Sequence, residues 1–191
     1  MTTPWRYSGL WSGATVAVLG GGPSMNQKLA DSVRQHRRIC ARTAVRFAPD
    51  ADMLVSLDGP LDAEFWQESQ SFAGMRICGF ECADDALHLS LPHERVTLGE
   101  GHVVELRNNG FAAIRIAAMA GASKILLLGF DRGLYDARAN NLEIGFLGME
   151  EGTNAIIAEL RAKGIEIERV DAVKTVPSGA EGWEPRKRRS K

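Results

Sequence analysis

Short, wholly apolar runs alternate along this chain with stretches of helical periodicity, and glycine, proline, asparagine or aspartate stand at most of the junctions. Val16–Leu19 is the first such run and predicts a buried strand; Met25–His36 then carries a helical pattern that Ser24 is placed to cap. Further strands are predicted at Arg38–Ala41, at Asp52–Leu57 (ending in the turn signal Asp58-Gly59-Pro60) and at Met75–Gly79, with weaker ones at Arg95–Leu98 and Val103–Leu106. Leu61–Ser71, Gly110–Ala120 and Glu150–Lys163 read as helices, the last with Gly164 as its C-terminal cap. Lys124–Gly129 contains Ile125-Leu126-Leu127-Leu128, the continuous apolar run of a strand covered on both faces, and Ile165–Val170 closes the series. Alternation of this kind predicts an α/β fold: a mostly parallel sheet with helices on both faces, whose ligands bind beyond the carboxyl ends of the strands.

At 191 residues the chain fits one domain with a substantial core. The expected boundaries are 1–176 for that domain and 177–191 for a disordered basic tail, which is poor in apolar residues and ends Arg186-Lys187-Arg188-Arg189-Ser190-Lys191. A formal charge of −1 gives no global argument for nucleic acid, leaving the tail as the one segment that could touch it; a solvated tail is the plainer reading. With no membrane-length apolar run and no basic-then-apolar leader pattern, a cytoplasmic protein without membrane contact is expected. Cys40, Cys78 and Cys82 do not form a disulfide framework, and their spacing with His88 and His93 matches no common zinc site, so no metal ligands are assigned.

The chemistry is expected in the loops after the strands. Gly20-Gly21-Gly22-Pro23-Ser24 follows the first strand and opens its helix, a turn expected to present bare backbone N–H groups to an anion, usually a nucleotide phosphate. It is neither a P-loop, since no Gly-Lys-Ser/Thr follows, nor Gly-x-Gly-x-x-Gly, since Met25 takes the third glycine's place. A tight turn without ligand is the alternative. Asn108-Asn109-Gly110 precedes the alanine-rich helix: Asn109 is a natural N-cap, while amides that both donate and accept also suit a sugar hydroxyl or a base edge. Asp58 and Asp131 each follow a buried strand, where a carboxylate can hold a ribose, a metal or a nucleophile's proton, or simply cap a turn. Arg42 and Arg46 follow the second strand and are candidates for phosphate contact, with surface placement as the alternative.

Two of these segments resemble a known group, the Rossmann-like nucleotide-utilising family of bacterial (Campylobacter-type) sialyltransferases, 6-hydroxymethylpterin pyrophosphokinase-like proteins and small phage-encoded relatives. One is the apolar strand followed by Gly20–Ser24; the other runs from Asn109-Gly110 through the alanine-rich helix and Lys124 to Gly129-Phe130-Asp131. The resemblance covers roughly Val16 to Asp131 and implies a Rossmann-like single domain with a pyrimidine-nucleotide pocket built from the glycine loop and Asn108-Asn109-Gly110. It departs from the family at Gly21, where an asparagine is frequent, at Arg42, where an asparagine commonly contacts the nucleotide, and in having no histidine beyond His102. The expectation is a phage- or prophage-type nucleotide-binding protein, a transferase if it turns over a nucleotide-activated sugar donor. Gly20, Gly21, Gly22, Pro23, Ser24 and Arg42 would hold phosphates, and Asn108, Asn109 and Gly110 the nucleoside. Asp131, with Asp58, would position an acceptor or a divalent cation, and Asp131 or Glu143 would serve as base. A nucleotide-sequestering module without turnover and a structural or morphogenesis protein are the alternatives, and a homodimer is the expected assembly.

Overall fold

The computed structural model describes residues 9–57, 69, 71–78, 87–88, 95–98, 102–105, 108–131 and 142–170. In chain order these give β1 (Thr15–Leu19), α1 (Gln27–Asp31), β2 (Arg37–Ala41), a 3-10 helix (Arg42–Arg46), β3 (Met53–Ser56), β4 (Met75–Cys78), β5 (Leu87–His88), β6 (Arg95–Leu98), β7 (His102–Glu105), α2 (Asn109–Met119), β8 (Lys124–Leu128), α3 (Leu142–Ala162) and β9 (Glu166–Val170). Seven strands form one sheet in the order β5-β4-β3-β2-β1-β8-β9, every neighbouring pair parallel. Strands β6 and β7 pair antiparallel in a separate ribbon. The protein is thus an α/β, Rossmann-like domain, and among the described residues no helix is long and apolar enough to cross a membrane.

The strands are apolar because both faces are covered. Val16, Val18, Ile39, Met53, Val55, Ile125, Leu127 and Ile167 point to one side, into a core shared with α2 and α3. Ala17, Leu19, Cys40, Leu54, Leu126 and Leu128 point to the other, against Leu29 and Ala30 of α1 and Ala44 and Val45 of the 3-10 helix. Arg115 of α2 clasps Glu159 of α3 through two hydrogen bonds of 3.3 and 2.9 Å, and Lys163 adds a third of 2.7 Å. The Arg115 guanidinium first, and Lys163 second, hold the Glu159 carboxyl down at about 2.

Three expectations are corrected here. The first helix does not span Met25–His36: α1 stops at Asp31, because Ser32 Oγ bonds back to the Leu29 carbonyl (2.7 Å) and the following amides close i→i−3 turns, Arg34 N to Asp31 O (3.2 Å) and His36 N to Val33 O (3.0 Å). Its N-cap is Asn26, whose Oδ1 accepts from Leu29 N at 3.0 Å, and not Ser24. The last helix starts at Leu142, eight residues before Glu150, so Glu143 stands in α3 and not in a loop. Gly164 does follow α3 in the left-handed region (φ +85°), and Ile165 N closes onto Leu160 O at 3.1 Å. The Leu61–Ser71 helix lies almost wholly outside the described residues, as do Asp58, Cys82, His93 and the 177–191 tail.

Candidate functional site

The chain lays down β1 to β5 in one direction across the sheet, then returns to place β8 and β9 on the other side of β1. The reversal falls between β1 and β8, and the loops that leave these two strands at their carboxyl ends are Gly20–Ser24 and Gly129–Asp131. In doubly wound sheets this is the crevice where ligands bind.

In this chain the two loops grip each other. Gly20 N donates to Leu128 O at 2.7 Å, extending the parallel ladder past β1, and Gly22 N donates to Gly129 O at 2.9 Å. Ser24 N donates to Asp131 Oδ2 at 3.0 Å and Ser24 Oγ to Asp131 Oδ1 at 2.5 Å. The expected row of bare N–H groups is therefore corrected. Pro23 has none to offer, Gly20, Gly22 and Ser24 spend theirs within the protein, and only Gly21 N meets no acceptor among the described residues. The glycines follow from the same crossing. A Cβ on Gly20 would stand 2.6 Å from Gly129 O, and one on Gly22 would stand 2.6 Å from both Gly129 O and Asp131 Oδ1. The tight-turn reading thus accounts for two of the three glycines by itself, whereas a Cβ on Gly21 would meet only the hydroxyl of Thr43, at 2.8 Å.

The asparagine pair divides its work differently from expectation. Asn108, and not Asn109, caps α2: its Oδ1 accepts from Gly110 N (2.6 Å) and Phe111 N (3.2 Å). An Asn-Asn pair supplies two equivalent acceptors, and the extended backbone at residue 108 decides between them. Asn109 Oδ1 instead accepts from Leu57 N at 2.6 Å, tying the first turn of α2 to the carboxyl end of β3. Both side-chain oxygens are therefore engaged by backbone.

Phe130, which sequence reasoning passed over, lies between the two segments. Its Cε1 is 2.9 Å from where a Cβ on Gly110 would be, and its Cε2 is 3.2 Å from the corresponding point on Gly20. The glycine loop and the asparagine pair are thus neighbours separated by one aromatic ring. The only sequence signal was the aromatic at the variable position of Gly129-Phe130-Asp131.

At the end of β2, Arg42 adopts φ +48°, the only positive φ of a non-glycine residue among the described ones. Such a conformation costs about 1–2 kcal/mol for an L side chain and lets the 3-10 helix begin directly on the strand, with Thr43 against Gly21. On the same face, at the end of β3, Ser56 is 4% exposed and its hydroxyl has no hydrogen-bond partner among the described residues. Leaving a buried hydroxyl unmet costs about 1–3 kcal/mol. In the ligand-free protein Ser56→Ala should therefore raise the unfolding free energy by about 1 kcal/mol in a urea titration, and a loss of stability would show that the hydroxyl is partnered.

Of the three acidic candidates, Asp131 is solvent-exposed and bonded to Ser24, Glu143 is placed on α3, and Asp58 lies outside the described residues. Cys40 is buried, and that burial pushes its thiol up to about 12, the state of an unreactive core cysteine. A cleft of about 530 Å³ opens at the opposite, amino-terminal edge of the sheet, lined by Arg34, Arg37, Arg38, Asp50 and Asp52 among others; its charges pair with each other and it is remote from the strand exits. Among the described residues no three His, Cys, Asp or Glu side chains gather as metal ligands. Comparison of the chain with protein-family models, curated proteins and solved structures found no match.

Proposed function

We propose that this chain is a nucleotide-binding protein whose ligand lies over the carboxyl ends of β1, β2 and β3. One observation carries the reading: the reversal of strand order falls at the glycine loop, the place where an open parallel sheet offers a ligand crevice. Around it stand groups of fitting chemistry. Gly21 N–H suits a phosphate oxygen, Thr43 adds a hydroxyl beside it, Arg42 at the end of β2 brings the charge a phosphate calls for, and the Asn108 and Asn109 side chains, their oxygens engaged by backbone, suit a nucleoside through their NH2 groups. Phe130 supplies an apolar floor between them. The resemblance to the sialyltransferase and phage-encoded group supports a pyrimidine nucleotide and, in the catalytic version, transfer of a group from a nucleotide-activated donor. There the arginine and the backbone N–H would stabilise charge on the departing phosphate.

A second reading, binding without turnover, is favoured by one specific observation. Asp131, the acid described at the crevice, already accepts two hydrogen bonds from Ser24, which tie both its oxygens to the glycine loop instead of reserving them for a proton transfer.

Thermal unfolding in the presence of nucleoside mono- and diphosphates and nucleotide sugars tests the proposal. At one hundred times its dissociation constant a ligand should stabilise the fold by about 2.7 kcal/mol, a rise in Tm of about 5–10 °C for a chain of this size. Arg42→Ala should weaken binding of any phosphate-bearing hit by about tenfold or more. No shift with any of the panel would sink the reading, and following each hit for product separates the transferase from the binding module.

A further inference from the structure

We infer that Asp131 sets the charge preference of this site: its carboxylate already fills the glycine loop, so the loop meets an uncharged, hydrogen-bond-donating part of the ligand, such as a sugar hydroxyl, and phosphate is directed away towards Gly21 and Arg42. The inference rests on the nucleotide-binding reading for the identity of the ligand, and on the loop geometry for its charge.

A loop that receives phosphate presents backbone N–H groups converging on empty space. Here Ser24 directs its N–H and its hydroxyl at the two different oxygens of one internal carboxylate, at 3.0 and 2.5 Å. Gly22 has turned its N–H onto the Gly129 carbonyl, so the loop faces one carboxylate and two carbonyl oxygens: a Cβ at Gly22 would lie 2.6 Å from Asp131 Oδ1, 2.6 Å from Gly129 O and 3.0 Å from the Asp131 carbonyl oxygen. An incoming phosphate on that side would meet oxygen on oxygen, with a full negative charge among them. A hydroxyl has the opposite fit. Each Asp131 oxygen keeps a lone-pair direction after accepting from Ser24, and the side chain is exposed to solvent, so a sugar hydroxyl can donate to it.

Two donors, the Gly21 N–H and the Thr43 hydroxyl, lie on the other flank of the loop, where the chain leaves β2 at Arg42. Gly21 N meets no acceptor among the described residues and its Cα backs onto the Thr43 hydroxyl. Arg42 is the next residue along, and the Ser56 hydroxyl, which meets no partner among the described residues, lies on the same face of the sheet. One internal anion thus separates a phosphate side from a hydroxyl side within a single short loop.

Isothermal titration of the full chain with inorganic pyrophosphate, in wild type, Asp131→Asn and Ser24→Ala, tests this. Asp131→Asn removes the charge and keeps an oxygen for Ser24, and should bind pyrophosphate at least about tenfold tighter than wild type. Ser24→Ala keeps the charge and should show no gain. Should circular dichroism show Asp131→Asn unfolded, Asp131→Ser is measured in its place with the same expectation. Equal or weaker pyrophosphate binding by the folded neutral variant overturns the inference, as does a gain in Ser24→Ala as large as that of the neutral variant. If wild type binds a nucleotide but neutralising Asp131 brings no gain, the inference fails and the nucleotide reading stands. If the gain appears in a protein that binds no nucleotide, the charge preference stands and the nucleotide reading fails.

Discussion

Valine at position 129 is expected to cost at least about 3 kcal/mol, lowering Tm by about 6–12 °C in a chain of this size. Gly129 has φ +67°, a region that a β-branched residue enters only with strain. The larger part of the cost is steric. A Cβ there would stand 2.6 Å from Gly20 O and 3.0 Å from Met25 Cβ. Neither neighbour can retreat easily, because Gly20 N is bonded to Leu128 O at 2.7 Å and Gly22 N to Gly129 O at 2.9 Å, and both loops continue the central pair β1 and β8. Relief would require the two strand exits to part, breaking those bonds and freeing Asp131 from Ser24. Gly164→Ala is the control: it too has a positive φ, +85°, but nothing lies within 4 Å of its Cβ position, so it should cost only about 1 kcal/mol. A Gly129→Val protein melting within a degree of wild type would show that the crossing of the two loops is not as tight as described.

That crossing also marks where the sequence stops being legible. The strands were readable because a sheet covered on both faces demands continuous apolar runs: Ile125-Leu126-Leu127-Leu128 and Val16–Leu19 admit little else, and the observed strands differ from the expected Lys124–Gly129 and Val16–Leu19 by one residue each. Asp52–Leu57 shrank to Met53–Ser56 because Asp52 turns its carboxylate onto the β2 backbone, and Leu57 N leaves the ladder for Asn109. The two-residue β5 is too short to carry a period. The end of α1 hung on one serine hydroxyl choosing a backbone carbonyl, a choice that propensity does not register.

The site was legible as a place but not as a set of partners. Glycine after a strand signals close approach of something, and the sequence pattern cannot say whether that something is a ligand or the chain itself. The answer lay 107 positions away, in the carboxylate that Ser24 holds. Phe130 was hidden for the same reason, since nothing local to residue 130 states that its ring will face both Gly20 and Gly110. Arg42, by contrast, was placed at a strand exit by the pattern alone, and its left-handed backbone is a fact only coordinates supply.

At the opposite edge of the sheet, removing Asp50 should destabilise the protein much more than removing the arginine it serves. Arg38 is buried, its side chain only 8% exposed, whereas the Asp50 side chain is 50% exposed. The guanidinium donates to Asp50 Oδ1 at 3.0 Å and to the Asp50 carbonyl at 2.9 Å, and its Nε has no partner among the described residues. Deleting the carboxylate leaves a largely buried charge without its counter-ion. Pairs enclosed on both sides lose about 3–5 kcal/mol when broken; with one partner half in solvent, screening reduces the expected cost of Asp50→Ala to about 2–3 kcal/mol at pH 7. Arg38→Met leaves a carboxylate that rehydrates and fills the space with an apolar chain, so it should cost under about 1 kcal/mol.

The pH dependence carries the sign. The Arg38 hydrogen bond, opposed by partial burial, holds the Asp50 carboxyl below its ordinary 3.8. The carboxylate's contribution is therefore fully present above that value and fades as pH falls through the lower, folded one. The stability gap between wild type and Asp50→Ala, read from urea unfolding at a series of pH values, should be constant from pH 7 down to about 5 and close below about 4. A gap that persists unchanged at lower pH, or an Arg38→Met protein less stable than Asp50→Ala, would show that the arginine is not the buried charge that organises this edge.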